Sequence, residues 1–293
     1  MKRLERLGVA RTPNGTELVL YRHDGAYLIR ADGVELMSTR RHLSERRLAE
    51  VACAGLTDVP GARVLIGGLG LGFTLRAALE SLPGDAEVVV AELVPEVIEW
   101  NADPEYDLSA EAMRDPRVRV VQQDVIDVLG ENPTAFDAIM LDTDNGPAGM
   151  LMSESERLYA ARGVATTVAA LRPDGRIAYW SVGDDPRFVR LLRHRGLAVE
   201  TLRVRAHDTT GPMHTIYVAT TQEDISVQRK KAIELQKAWG DRPCDHPSFS
   251  REYDMGERTG NYCCTQCGAT LSFREKAELT AGRTTPPRRT GSR

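Results

Sequence analysis

Arg63-Val64-Leu65-Ile66 runs directly into Gly67-Gly68-Leu69-Gly70-Leu71-Gly72, and Thr74 to Ser81 then carries the pattern of a helix. A short apolar strand, a glycine turn and a helix in that order form a nucleotide site. Glycines allow the tight turn and bring backbone N–H groups close to the ligand, and the helix N-terminus adds a favourable dipole. About 20 residues past the turn, Glu92 closes the next apolar run, where a carboxylate can accept hydrogen bonds from both ribose hydroxyls. The spacing Gly68-x-Gly70-x-Gly72 departs from the dinucleotide form G-x-G-x-x-G. Gln123-Asp124 ends a third run where a polar pair can meet an adenine edge, so a mononucleoside cofactor fits better than a dinucleotide.

Outward from this turn, strands and helices alternate. The runs Arg63 to Ile66, Glu87 to Ala91, Arg117 to Val121, Ala138 to Leu141, Arg176 to Trp180, Ala198 to Val204 and His214 to Ala219 read as strands. Between them, Thr74 to Ser81, Pro95 to Asn101, Val125 to Leu129, Glu154 to Leu171 and Arg187 to Arg195 read as helices. Short buried strands separated by helices give a Rossmann-like α/β fold, a doubly wound, mostly parallel sheet, over residues 41–221. Before it, Thr16 to Tyr21, Ala26 to Arg30 and Val34 to Met37 are joined by tight turns and predict a small N-terminal β unit within 1–40. Ser44 to Leu56 predicts a connecting helix, on which Cys53 is a small core residue.

Composition narrows the class. The chain has 293 residues, enough for one large domain and an appendage. A formal net charge of -4 argues against bulk attraction to nucleic acid or anionic lipid. No run has the apolar length of a membrane span and the N-terminus lacks a leader's apolar core, so a cytoplasmic protein without membrane contact is expected.

The C-terminal part is different in kind. Residues 222–243 predict a linker helix, 244–275 a zinc-ribbon-like unit and 276–293 a disordered basic tail. Cys244-x-His246 and Cys264-x-x-Cys267-Gly268 present two ligand pairs, a tetrahedral set for structural Zn²⁺, with Cys263 competing for the place of Cys264. A set of free cytosolic thiols, or a redox pair at Cys264 and Cys267, is the alternative. The unit could contact protein or nucleic acid through the arginine-rich tail.

Beyond these local signals, the chain resembles the spermidine synthase (polyamine aminopropyltransferase) family from its N-terminal strands to about Thr220. The resemblance is carried by Ala31-Asp32-Gly33-Val34, the Leu36 to Glu45 segment, Gly67 to Gly72, Glu92, Asp115-Pro116-Arg117-Val118, Gln123-Asp124 and Phe136-Asp137-Ala138-Ile139. Leu141-Asp142-Thr143-Asp144-Asn145-Gly146-Pro147 resembles the family's Asp-Ser-x-Asp-Pro-x-Gly-Pro signature. The resemblance implies a class I methyltransferase-like fold, a homodimer, and transfer of an aminopropyl group from decarboxylated S-adenosylmethionine to an amine such as putrescine. It further implies that Gly67, Gly68, Gly70, Gly72, Glu92, Gln123 and Asp124 bind the adenosyl sulfonium, and that Asp142 faces the attacking amine with Asp144 beside it.

Three departures are visible. Leu69 or Leu71 stands where the family's glycine turn carries an acid, the signature loop is two residues shorter, and Leu43-Ser44-Glu45 replaces a Tyr-Gln-Glu element. They leave two rivals in place: methyl transfer from S-adenosylmethionine to a small molecule, and a non-catalytic nucleoside-binding scaffold. Asp137 reads as a solvated carboxylate, His214 as a structural histidine within reach of the cleft, and Arg40 and His42 as residues of the entrance.

Overall fold

The computed structural model describes residues 4–143, 157–207, 211–221, 232–240, 242–254 and 257–283. The chain divides into two compact units, Met1–Thr221 and Gln222–Arg293. Residues 1–40, expected as an N-terminal β unit, and 41–221, expected as the main domain, both fall in the first unit.

In the first unit, β1 (Glu5–Arg11), β2 (Glu17–His23), β3 (Ala26–Ala31) and β4 (Val34–Ser38) form an antiparallel meander in that order. β1 is absent from the sequence reading because Gly8 breaks its apolar alternation. The reason for that glycine is steric: a Cβ there would lie 2.4 Å from Nε1 of Trp100. Leu18, Leu20, Tyr27 and Ile29 of the meander enter the same core as Leu48, Leu69 and Trp100, which fixes the small sheet to the larger one. Helix α1 (Leu43–Ala52) follows, and Cys53 just beyond it is buried in that core.

The large sheet contains β5 (Arg63–Gly67), β6 (Glu87–Glu92), β7 (Val118–Gln122), β8 (Phe136–Leu141), β9 (Leu171–Ser181), β10 (Leu197–Arg205) and β11 (Met213–Thr221). Its order is β10-β11-β9-β8-β5-β6-β7. Strands β5 to β9 pair in parallel, whereas β11 pairs antiparallel with both β9 and β10. Helices α2 (Phe73–Ser81), α3 (Pro95–Ala102), α4 (Ala110–Met113), α5 (Val125–Glu131), α6 (Ala161–Ala170) and α7 (Pro186–His194) connect or flank these strands. This is the expected Rossmann-like, mostly parallel fold. The strand order reverses between β5 and β8, and the ends of these two strands bear the glycine turn and Asp142. Open α/β sheets bind ligands at such a switch point.

Three local expectations change. The helix expected over Glu154 to Leu171 is interrupted at Ala160, which has the extended backbone of φ -74°, ψ 165° and starts α6; residues 154–156 lie outside the described residues. Strand β9 begins at Leu171 rather than Arg176. Asp137 is not solvated but accepts from Arg63 N–H and from the Arg172 guanidinium, each at 2.7 Å. It ties the start of β8 to β5, a structural role that sequence could not distinguish from surface exposure.

In the second unit, residues 232–239 are helical. A small antiparallel sheet is made by β12 (Phe249–Asp254), β13 (Glu257–Cys264) and β14 (Thr270–Ser272). Residues 273–283, within and before the stretch expected as a disordered tail, form helix α8. Residues 284–293 lie outside the described residues. Among the described residues no helix is long and apolar enough to cross a membrane.

Candidate active site

The glycine turn builds one wall of a cavity of about 130 Å³ lined also by Glu92, Gln123, Asp124 and Asp142. Each glycine has its own reason. Gly68 sits at φ +91°, and a Cβ there would lie 2.4 Å from the Asp142 carbonyl oxygen. Gly70, at φ +53°, approaches the Met37 sulfur of β4. Gly68 and Gly70 therefore face the cavity, while Gly67 and Gly72 do not line it. Gly67 is closed in by Val125 and Leu141, and Gly72, at φ +75°, abuts Ser109. These two shape the turn through packing. Leu69 and Leu71 are buried, 4% and 3% exposed, so the turn carries apolar core residues at these two positions.

Glu92 is nearly buried, and its two oxygens accept the N–H groups of Leu69 and Val94, each at 2.9 Å. The carboxylate is locked at the cavity wall between the glycine turn and the loop after β6. Carboxylate oxygens accept more than one hydrogen bond, so this anchoring is compatible with ribose hydroxyls as further donors. Asp124 caps α5, accepting from Ile126 N–H at 3.0 Å, while Gln123 Nε2 reaches Glu131 at 3.1 Å on the exposed side. Thr12, Thr16 and Leu18 of the N-terminal meander complete the cavity. Nothing local in their sequence distinguishes them, because β1 to β3 reach the pocket only through tertiary packing.

A second cavity, of about 180 Å³, shares Leu36, Met37, Gly70 and Asp142 with the first. Here α1 delivers Glu45, and β11 delivers His214. Asp142 accepts a hydrogen bond from Thr74 Oγ1 of α2 at 2.7 Å. Burial pushes its pKa up to about 6, against the opposing effect of that hydrogen bond. Burial, reinforced by the Asp142 carboxylate, pushes Glu45 up to about 7. Two carboxyl groups thus share one poorly hydrated site and resist ionising together. Such a pair can hold an ammonium group and take its proton near neutral pH.

His214 is the residue that sequence reading undervalued. Its Nδ1 lies 2.9 Å from Ser44 Oγ, and its ring meets Trp180 edge-on with centroids 4.6 Å apart. Burial, with Arg41 adding to it, draws its pKa down to about 4, so the ring is neutral at physiological pH. At the entrance, Arg41 lines the second cavity; Arg40 pairs with Asp24, and His42 stacks on Phe73 with centroids 4.4 Å apart. Asp144, Gly146 and Pro147 lie outside the described residues.

In the second unit, the ligand atoms of Cys244, His246, Cys264 and Cys267 all lie within 4.8 Å of one another. The Cys244 and Cys264 sulfurs are 3.9 Å apart, and Cys267 Sγ is 3.3 Å from His246 Nδ1. Ligands about 2.3 Å from a tetrahedral metal stand roughly 3.8 Å from one another, so the donor set and its spacing fit such an ion. Cys263 lies outside this four-residue group, which selects Cys264.

No protein-family model matches the chain. A polyamine aminopropyltransferase of Mycobacterium tuberculosis is 31% identical over 160 residues, 49% of this chain and 28% of that protein. One from Synechococcus is 29% identical over 187 residues, 61% of this chain and 57% of that protein. Over part of its length the chain is thus similar to polyamine aminopropyltransferases. It spans less than two thirds of the length of either relative. In fold it is similar to the spermidine synthase of Thermotoga maritima, with a TM-score of 0.57 at 17% identity over 75% of this chain and 74% of that one. A spermidine synthase solved with the transition-state analogue AdoDATO gives the same TM-score and identity, over 75% of this chain and 73% of that one.

Proposed function

We propose that this spermidine synthase relative is a transferase that moves an aminopropyl group from decarboxylated S-adenosylmethionine to a small amine such as putrescine. The observation that carries this reading is the Glu45–Asp142 carboxyl pair, set beside a glycine-walled cavity that ends at Glu92 and Asp124. The adenosyl group of the donor would lie in the first cavity, with Gly68 and Gly70 against it, its ribose on Glu92 and its adenine near Gln123 and Asp124. Its sulfonium-bearing tail would point toward the cavity junction at Asp142.

The acceptor amine must be neutral to attack, and alkylammonium groups lose their proton only near pH 10. The carboxyl pair attracts the cation and receives the proton. The amine nitrogen then bonds the carbon next to sulfur, the carbon–sulfur electrons return to sulfur, and a neutral thioether leaves. Asp144 is proposed as a second acid of this site. The test is mass-spectrometric detection of an aminopropylated product and of the thioether from purified protein, decarboxylated S-adenosylmethionine and putrescine. Their absence over a panel of amines would reject aminopropyl transfer.

A second reading is favoured by Leu69 and Leu71, which offer no acid to the donor's amino group: methyl transfer from S-adenosylmethionine within the same fold. Calorimetric titration with the carboxylated and decarboxylated donors separates the two. For the second unit, we infer a structural zinc held by Cys244, His246, Cys264 and Cys267, which would supply folding energy to a small sheet. Residues 1–221 would then hold the chemistry, 222–243 would link, and the zinc unit with its basic end would contact a partner. A cytoplasmic homodimer completes the reading.

A further inference from the structure

Ser44 is fully buried, and its hydroxyl touches two titratable groups at once, the carboxyl of Glu45 and Nδ1 of His214 at 2.9 Å. A hydroxyl has one proton to donate and lone pairs to accept with. It cannot donate to both neighbours, so the direction of this chain must depend on where the Glu45 proton is. With Glu45 ionised, Ser44 donates to the carboxylate and accepts from His214 Nδ1–H. With Glu45 protonated, the carboxyl donates to Ser44, and Ser44 donates to a bare Nδ1. The two arrangements differ by the tautomer of one imidazole.

We propose that Ser44 and His214 form a relay that carries the proton released by the acceptor amine from the Glu45–Asp142 pair outward. The inference rests on the transfer reading above, which generates one proton per turnover and leaves it on a poorly hydrated carboxyl. The steps balance. The proton on Glu45 passes to Ser44 Oγ, the original Ser44 proton passes to His214 Nδ1, and the Nε2 proton is lost to water. The ring is then neutral with its proton on Nδ1, and Glu45 is ionised and hydrogen-bonded again; when Glu45 next takes a proton, Nδ1 loses one to water and Nε2 gains one, which restores the starting tautomer.

Several features suit this role. His214 lines the second cavity and is not sealed in the core. Burial, with Arg41 adding to it, disfavours the imidazolium, so the ring is suited to passing a proton on rather than storing it. Trp180 packs against the ring, and the N-terminal end of α1 is held by a Leu43 N–H to Ala206 carbonyl bond of 3.4 Å. The groups facing the relay are Glu45, Asp142 and, through Asp142, Thr74, together with Arg41 and the Glu35 carboxylate that pairs with it. Ser44 and His214 act through Glu45, so they are positioning residues.

The test uses the full chain. In ¹⁵N NMR of the unaltered protein, His214 Nδ1 should change from the bare to the proton-bearing nitrogen as pH rises through about 7, and should not do so in Ser44→Ala. In transfer assays Ser44→Ala should lower kcat on the order of tenfold to a hundredfold, within the range of general acid–base effects, with donor affinity unchanged. Ser44→Thr, which keeps the hydroxyl, should restore most of it. A His214 tautomer that stays constant from about pH 5 to about pH 9 would overturn the relay, as would wild-type kcat in Ser44→Ala. Absence of transfer in the unaltered protein would reject the aminopropyltransferase reading, and the tautomer measurement still decides the relay by itself.

Discussion

Thr74 Oγ1 donates to Asp142 Oδ2 at 2.7 Å, joining the first turn of α2 to the end of β8. The bond favours the ionised carboxylate and restrains the upward shift caused by burial. Thr74→Val removes it. The acid limb of kcat/KM should then move up by about one pH unit, and folding stability should fall by about 1 kcal/mol. A pH–rate profile and a chemical denaturation curve check the two effects separately.

Asp142→Asn should reduce transfer by about 10²- to 10⁴-fold, the scale of a lost general base, while leaving donor affinity nearly intact. Single-turnover assays beside calorimetric binding of the donor distinguish chemistry from binding. Turnover equal to that of the unaltered protein would remove Asp142 from the mechanism.

Glu45 has a folded-state pKa of about 7 against an ordinary value of 4.5. Between those values the folded state binds more protons than the unfolded one, so stability falls as pH rises across that window and remains reduced above it. Glu45→Gln removes this dependence. The substituted protein should gain melting temperature relative to the parent at pH 8 and show little gain near pH 4.5, a difference that scanning calorimetry resolves.

Gly68→Ala and Gly15→Ala provide a matched pair. Both glycines have φ near +90°, but a Cβ at Gly15 meets nothing within 4 Å, whereas at Gly68 it meets the Asp142 carbonyl at 2.4 Å. Gly15→Ala should cost only the backbone term of about 1–2 kcal/mol. Gly68→Ala should cost more than that and abolish donor binding. Equal losses in the two variants would contradict the close approach of the turn to β8.

Metal analysis should find one equivalent of zinc in protein purified without added metal. Cys264→Ser should lose it, and Cys263→Ser should retain it. Chelation should unfold the second unit, followed by limited proteolysis, with the first unit remaining resistant.

Sequence alone determined the strand-turn-helix at Arg63 to Ser81, the parallel strands and the acidic residue closing β6. These are local: a short apolar run, glycines at positive φ and a carboxylate at a strand end signal themselves by composition and spacing. The C-x-H and C-x-x-C pairs are legible for the same reason, since ligand geometry constrains near neighbours in the chain. Tertiary structure alone decided the rest. Glu45 becomes a partner of Asp142 only because α1 packs on the sheet, and His214 meets Ser44 only because β11 inserts antiparallel between β9 and β10. Selection of Cys264 over Cys263 likewise required the backbone, since successive residues of β13 point to opposite faces. Burial, which raises the pKa values of the carboxyl pair, belongs to the packed molecule and leaves no mark in the order of its residues.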